Sequence, residues 1–165
     1  MTSPTTTAPA TKPNECIIDV HPNIFDLTGK LTVDFYNATN PNEPVTFVHV
    51  DQTLIVKVHV ELGGRILNYL CDTQLCVCLA FESCGSGPEG EFCQWLKLDP
   101  CRTNVYDFEF RLPAGQLPSG ECGKSYDICI TLGSKDCCGK VGFIFGRCKD
   151  LQITVLPADV SGTPA

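Results

Sequence analysis

Twelve cysteines are the residues of this 165-residue chain with the most chemistry to offer: Cys16, Cys71, Cys76, Cys78, Cys84, Cys93, Cys101, Cys122, Cys129, Cys137, Cys138 and Cys148. They are about 7% of the chain, several times the usual share. A tetrahedral zinc site is normally supplied by two C-x2-4-C knuckles, because two tight turns bring four ligands together. Here the short spacings are C-x4-C, C-x-C and an adjacent pair, with no C-x2-C. The plant-type iron–sulfur run is missed by one residue at Cys71, Cys76 and Cys78. Lacking C-x-x-C, the chain also lacks the thioredoxin-like redox motif. An even count at irregular spacing fits a disulfide framework, up to six bridges. Cys76 and Cys78 share one face of an extended segment about 7 Å apart, so each is expected to pair with a neighbouring strand. Cys84 and Cys93 flank GSGPEGEF and are expected to close that loop. Cys137 and Cys138 flank the same hairpin as Cys148, so one of them is expected to meet it; the alternative is a vicinal Cys137–Cys138 ring, which would strain its peptide.

Other reactive groups are sparse. Gly123-Lys124-Ser125 resembles the end of a phosphate-binding loop, but Pro118 stands where that loop needs glycine, and a strand follows instead of a helix. There is no G-x-S-x-G elbow, no H-E-x-x-H and no calcium loop. Of the three histidines, His59 lies with Lys57 and Glu61 on one polar strand face, His21 precedes Pro22, and His49 ends a strand. None has an evident nucleophile beside it. Asp107 and Glu109 share a strand face and read as solvated acids. These patterns point away from catalysis, so no catalytic, cofactor-binding or metal-ligating residue is assigned.

The elements that position these groups read as β. In Leu54–Leu62 the residues Leu54, Val56, Val58, Val60 and Leu62 alternate with Ile55, Lys57, His59 and Glu61. The same period organises Gln74–Glu82, Val105–Leu112, Tyr126–Leu132 and Leu151–Val155. Less regular strands are expected at Cys16–Val20, Lys30–Tyr36, Val45–Val50, Phe92–Leu98 and Val141–Phe145, separated by HPN, NPNEP, GG, GSGPEG, LPAGQLPSG and DCCGK turns. One helical turn is expected around Pro113–Leu117. The Thr/Pro-rich residues 1–14 and the end at 158–165 are expected to be flexible tails around one domain over 15–157. The start has no basic n-region and no apolar stretch, so it does not read as a secretory leader. Either a leader has been removed ahead of it or export uses another route.

Seven to ten antiparallel strands with one apolar face each form two packed sheets. The order of elements around FEFRLPAGQLPSGECGKSYDICITL, Phe108 to Leu132, resembles an immunoglobulin-like β-sandwich. Tyr126 stands where such domains place a corner tyrosine whose hydroxyl bonds back to the chain. The resemblance implies strand B at Leu54–Leu62, C at Gln74–Glu82, E at Val105–Leu112, F at Tyr126–Leu132 and G at Leu151–Val155. Strand B has no cysteine, so the B–F bridge of antibody domains cannot form, and Trp95 follows strand C. Because F lies beside C in such sheets, the resemblance also implies a bridge from Cys76 or Cys78 to Cys129.

A net charge of −7 disfavours nucleic acid and anionic lipid, and no apolar run approaches the ~20 residues of a membrane-spanning helix. The expected function is a non-enzymatic, disulfide-stabilised structural, adhesion or protein-binding module, extracellular or at a cell surface. A protein partner or self-association into a coat or filament is expected, without a cofactor. Val141, Phe143, Ile144 and Phe145 form the candidate interaction strand: as an internal strand it would bury Val141, Phe143 and Phe145, and as an edge it would accept a partner strand. Asn37-Ala38-Thr39 is an N-glycosylation sequon. The alternative is a cytosolic cysteine-rich metal-binding protein, and a hydrolase assembled across strands is a third reading.

Overall fold

Period-two alternation lays this chain down as ten strands among residues 14–20, 27–142 and 144–158, the part described by the computed structural model. They are β1 (Glu15–Val20), β2 (Thr28–Asn37), β3 (Asn40–Pro44), β4 (Phe47–His49), β5 (Leu54–Gly63), β6 (Gln74–Ser83), β7 (Glu89–Lys97), β8 (Val105–Leu112), β9 (Lys124–Lys135) and β10 (Ile144–Leu156). Apart from Asn14 and Ala158, the expected tails fall outside the described residues, as do His21 and Phe143. The expected helical turn at Pro113–Leu117 is a plain turn with a Gln116 N–H to Pro113 carbonyl bond of 3.1 Å. The helical element lies instead at Arg65–Tyr69, a single 3-10 segment. NPNEP is not a turn either: it forms the exposed strand β3, paired only with β2, where an edge tolerates proline.

The strands make two sheets. One runs β1-β2-β5-β8 with β3 beside β2, the other β7-β6-β9-β10 with β4 parallel to β10. Strand β1 belongs to both. Glu15–Ile17 pair with β2, and Ile18–Val20 pair with β10. The crossing is tight at Ile18: a Cβ on Gly29 would fall 2.6 Å from the Ile18 Cβ, so only glycine fits there.

The sheets bury a shared apolar layer. Leu31, Val33, Val56, Val58 and Val60 from one face Leu75, Val77, Leu79, Ile130 and Ile153 from the other, all fully or almost fully buried. In β10 both Cys148 and Leu151 point inward, three residues apart, which a regular strand forbids. A bulge between them resolves the parity by adding one residue opposite β9, with Asp150 in the left-handed region at φ 63. Where five residues were expected at Leu151–Val155, a thirteen-residue strand runs through this bulge.

Tyr126 is fully buried, and its hydroxyl donates to the Pro118 carbonyl at 2.7 Å. The corner between β8 and β9 is thereby tied to the start of β9. Cys16 is bonded to Cys148, Cα–Cα 5.5 Å, so the first strand is fastened to the last at the crossing point.

Candidate functional site

The outward residues of β7-β6-β9-β10 form a channel, and the strand register shows why. Directly opposite one another lie Trp95 and Cys76, then Cys76 and Gly133. Phe145, adjoining Gly146 that faces Leu132, stands beyond Gly133 at the same level. The next level holds Cys93, Cys78, Thr131 and Arg147; below it come Glu91, Ala80 and Cys129, then Glu89, Glu82, Asp127 and Gln152. The two middle strands thus present Cys76, Cys78, Ala80, Gly133, Thr131 and Cys129 as a floor of short side chains. The outer strands carry the long ones. At the usual strand spacing Trp95 and Phe145 are about 14 Å apart, one on each rim. A Cβ on Gly133 would meet nothing within 4 Å, so the floor there is open.

The lower part of this channel is an open groove of about 850 Å³, lined among others by Glu82, Glu89, Glu91, Asp127, Arg147, Lys149 and Gln152. The β10 bulge carries Lys149 and Asp150 to its border. Gln152 Nε2 donates to Asp127 Oδ1 at 2.8 Å, and Arg147 Nε donates to the Cys129 sulfur at 3.4 Å. The Cys84 thiol donates to Asp127 Oδ2 at 3.7 Å, and burial followed by the charges of Asp127 and Glu82 raises its pKa. Trp95 is 48% exposed, with Lys135 Nζ 4.5 Å over its ring, and Phe145 is 47% exposed. Two half-exposed aromatics beside carboxylates, an amide and a guanidinium provide stacking faces and hydrogen-bonding groups on one surface.

The outer face of the other sheet is paired off within itself. His59 Nδ1 lies 2.6 Å from Asp107 Oδ1, and its Nε2 is 3.2 Å from Glu61 Oε1. Burial pulls the His59 pKa down, but the hydrogen bonds to Asp107 and Glu61, reinforced by their charges, carry it above the ordinary value. With both ring nitrogens taken up by carboxylates, His59 has none left to activate a nucleophile. Glu109 accepts from Arg111 Nε at 2.8 Å, and Lys30 pairs with Glu15 at 3.1 Å. His49 is held by the Pro157 carbonyl at 2.7 Å. Lys124 opens β9 and donates to the Ser86 carbonyl, with no helix after it to hold a phosphate.

Cys78 does pair with a neighbouring strand, as expected, but the named partners differ. Cys78 is bonded to Cys93, which stands directly opposite it with Cα–Cα 4.1 Å, and not to Cys129, which faces Ala80 one pair further along. Cys93 is therefore not available to Cys84, which lies beyond the hairpin's last pair, Glu82 with Glu89. Cys148 is buried and bonded to Cys16, whereas Cys137 and Cys138 are exposed in the turn between β9 and β10. Cys137 and Cys138 have their sulfurs 3.9 Å apart, unbonded. Cys71, Cys76, Cys84, Cys101, Cys122, Cys129, Cys137 and Cys138 carry free thiols. Four of the twelve cysteines are thus bridged, not all of them. The reason is register: a bridge forms where strands set two cysteines opposite, and sequence spacing does not carry that.

The candidate interaction strand is also rearranged. Ile144 and Phe145 belong to β10, an internal strand between β9 and β1 that offers no free edge, and Val141 makes an isolated bridge to Lys135. Ile144 is buried, while Phe145 and Val141 point to solvent, opposite to the burial expected for them. Phe145 stands instead on the rim of the channel above the groove. Trp95 was noted in the sequence only for its position after strand C; no sequence signal marked Gly133 or Thr131 as a floor.

No protein-family model matches the chain, and no curated protein matches it either. Among solved structures it is similar to the crystal structure of the C-terminal domain of wzt, with a TM-score of 0.53 and 13% identity, over 96% of this chain and 92% of that one. At that identity the likeness is one of fold: an all-β sandwich.

Proposed function

We propose that this chain is a non-enzymatic, disulfide-stabilised binding module that works outside the cytosol and holds a saccharide chain along the outer face of β7-β6-β9-β10. The observation that carries the reading is the floor of short side chains between the aromatic rims Trp95 and Phe145. A sugar ring offers an apolar C–H face for stacking and a ring of hydroxyls for carboxylates, amides and guanidinium groups. The channel carries both kinds of group, with Trp95 and Phe145 on its rims and the carboxylates, Gln152 and Arg147 in the groove below. Adhesion through glycan recognition keeps the expected adhesion role while moving its surface from a sheet edge to a sheet face. The two bridges favour an oxidising compartment. The sheet neighbours β2-β5-β8 and β7-β6-β9-β10, with the Tyr126 hydroxyl bonded back to Pro118, support an immunoglobulin-like form of the sandwich.

A protein partner is the second reading, favoured by β7: it is the last strand of its sheet, and Phe92 on it is 38% exposed.

A printed array of neutral and acidic oligosaccharides, probed with the chain and with Trp95→Ala, tests the first reading. Binding to a defined saccharide class, weakened about tenfold in Trp95→Ala, is the expected result. An array without retained saccharide, alongside capture of a strand-donating peptide by β7, would favour the second.

A further inference from the structure

Above the groove, the channel holds three sulfurs in one place. Cys76, Cys78 and Cys93 have their Sγ atoms all within 4.8 Å of one another, and the Cys76 sulfur is 3.7 Å from that of Cys78. The three come from two neighbouring strands: Cys76 and Cys78 as a C-x-C on the outer face of β6, and Cys93 directly across on β7. A search for knuckle spacings cannot see such a site, because its third ligand is set by strand register. Tetrahedral zinc with Zn–S bonds of about 2.3 Å places its sulfurs about 3.8 Å apart. The Cys76–Cys78 separation already matches that edge.

We propose that opening the Cys78–Cys93 bridge converts this cluster into a thiolate site for a soft d10 cation, zinc being the reference ion. The bridge and the metal are alternative states of the same sulfurs. A phosphine reductant cleaves the S–S bond: phosphorus takes the oxygen of one water and is oxidised to the phosphine oxide, while the two sulfurs are reduced and take the two protons. Zinc then binds three thiolates, releasing their three protons and leaving one coordination position to water or a nearby oxygen. Glu91 Oε1, 3.8 Å from the Cys93 sulfur, is the neighbouring carboxylate. Burial foremost raises the Cys76 pKa; of the neighbouring charges, Lys135 works against that rise more than Glu91 adds to it, and it offsets the negative charge of a tris-thiolate centre. The cluster is open to solvent, with Cys93 exposed and the other two half-buried.

The decisive experiment is differential alkylation of the full chain, reduced with a phosphine and freed of it under argon, with and without zinc. Alkylation mapped by mass spectrometry is expected to slow about tenfold or more at Cys76, Cys78 and Cys93 when zinc is present. In Cys76→Ser the protection is expected to disappear at Cys78 and Cys93, while Cys137 and Cys138 behave as in the parent. Zinc is also expected to raise the melting temperature of the reduced chain and leave that of the oxidised chain unchanged. The proposal is overturned if the three label at the same rate with and without zinc, or if Cys76→Ser keeps the protection. Because full reduction also opens Cys16–Cys148, the labelling is repeated after brief reduction that opens the exposed Cys78–Cys93 bridge and keeps the bridge of buried Cys148. Equal labelling rates with and without zinc there overturn the proposal as well. None of these results bears on saccharide binding by the oxidised chain, so the two proposals fail separately.

Discussion

Cys16 and Cys148 are bonded across a sequence separation of 132 residues, at the point where β1 passes from one sheet to the other. Closing a loop of that length removes chain entropy from the unfolded state equivalent to about 5 kcal/mol in the loop-closure estimate. Cys148 is also fully buried, so its partner cannot be removed without leaving a core thiol. Cys16→Ser is expected to lower stability by about 3–5 kcal/mol, read as a lower denaturant midpoint with unchanged far-UV spectrum at low denaturant. A loss below about 1 kcal/mol would mean that the bridge is not formed in solution.

The hydroxyl of Tyr126 satisfies the Pro118 carbonyl at 2.7 Å from inside the core. Tyr126→Phe keeps the ring and orphans that carbonyl. A loss of about 1–2 kcal/mol is expected in urea unfolding, and a neutral result would show that solvent reaches the corner.

His59 gives the fold a pH response. Its pKa is raised by Asp107 and Glu61, so the folded state binds the proton more tightly than the unfolded state. The stabilisation is therefore complete below the ordinary histidine value of about 6.5 and is lost as pH rises through the higher folded value. Melting temperatures between pH 5 and 8.5 are expected to fall across that window, and His59→Gln to flatten the fall. An unchanged slope in His59→Gln would assign the response to other groups.

Three carboxylates stand side by side at the lower end of the groove: Glu89 opposite Glu82, and Glu82 opposite Asp127. Like charges directly across a sheet repel. Glu82→Gln is expected to raise the melting temperature by about 1–2 °C at low salt, and less at 0.5 M salt where the repulsion is screened. A salt-independent change would point to packing instead.

The strands were legible wherever alternation is strict. Leu54–Leu62 and Val105–Leu112 carry an apolar residue at every second position, and β5 and β8 follow them almost residue for residue. Strand β10 was legible at its two ends, as separate strands at Val141–Phe145 and Leu151–Val155, and not as one strand, because the bulge between Cys148 and Leu151 changes the parity of the inward residues. Exposed β3 has no apolar face to announce it, and only its pairing with β2 makes it a strand. The cysteine partners depend on a hairpin register that pairs Glu82 with Glu89 and therefore Cys78 with Cys93, a long-range property. The groove was illegible for the same reason: Cys76 and Gly133 become neighbours only when β6 pairs with β9, and Trp95 joins them through β7. Short side chains carry no signal in sequence until a sheet sets them side by side.

Gly133 is the residue at which the binding reading is most exposed to refutation. It has no positive φ, its Cβ direction is empty, and it lies between Cys76 and the Phe145 rim. Gly133→Trp fills the channel without touching the core, so folding is expected to persist. The measurement is binding of the chain and of Gly133→Trp to the same oligosaccharide array, with melting temperatures taken alongside. The expected result is a saccharide class held by the parent and lost in Gly133→Trp at a melting temperature within about 2 °C of the parent. Undiminished saccharide binding by a folded Gly133→Trp, or no saccharide bound by the parent, would contradict the account.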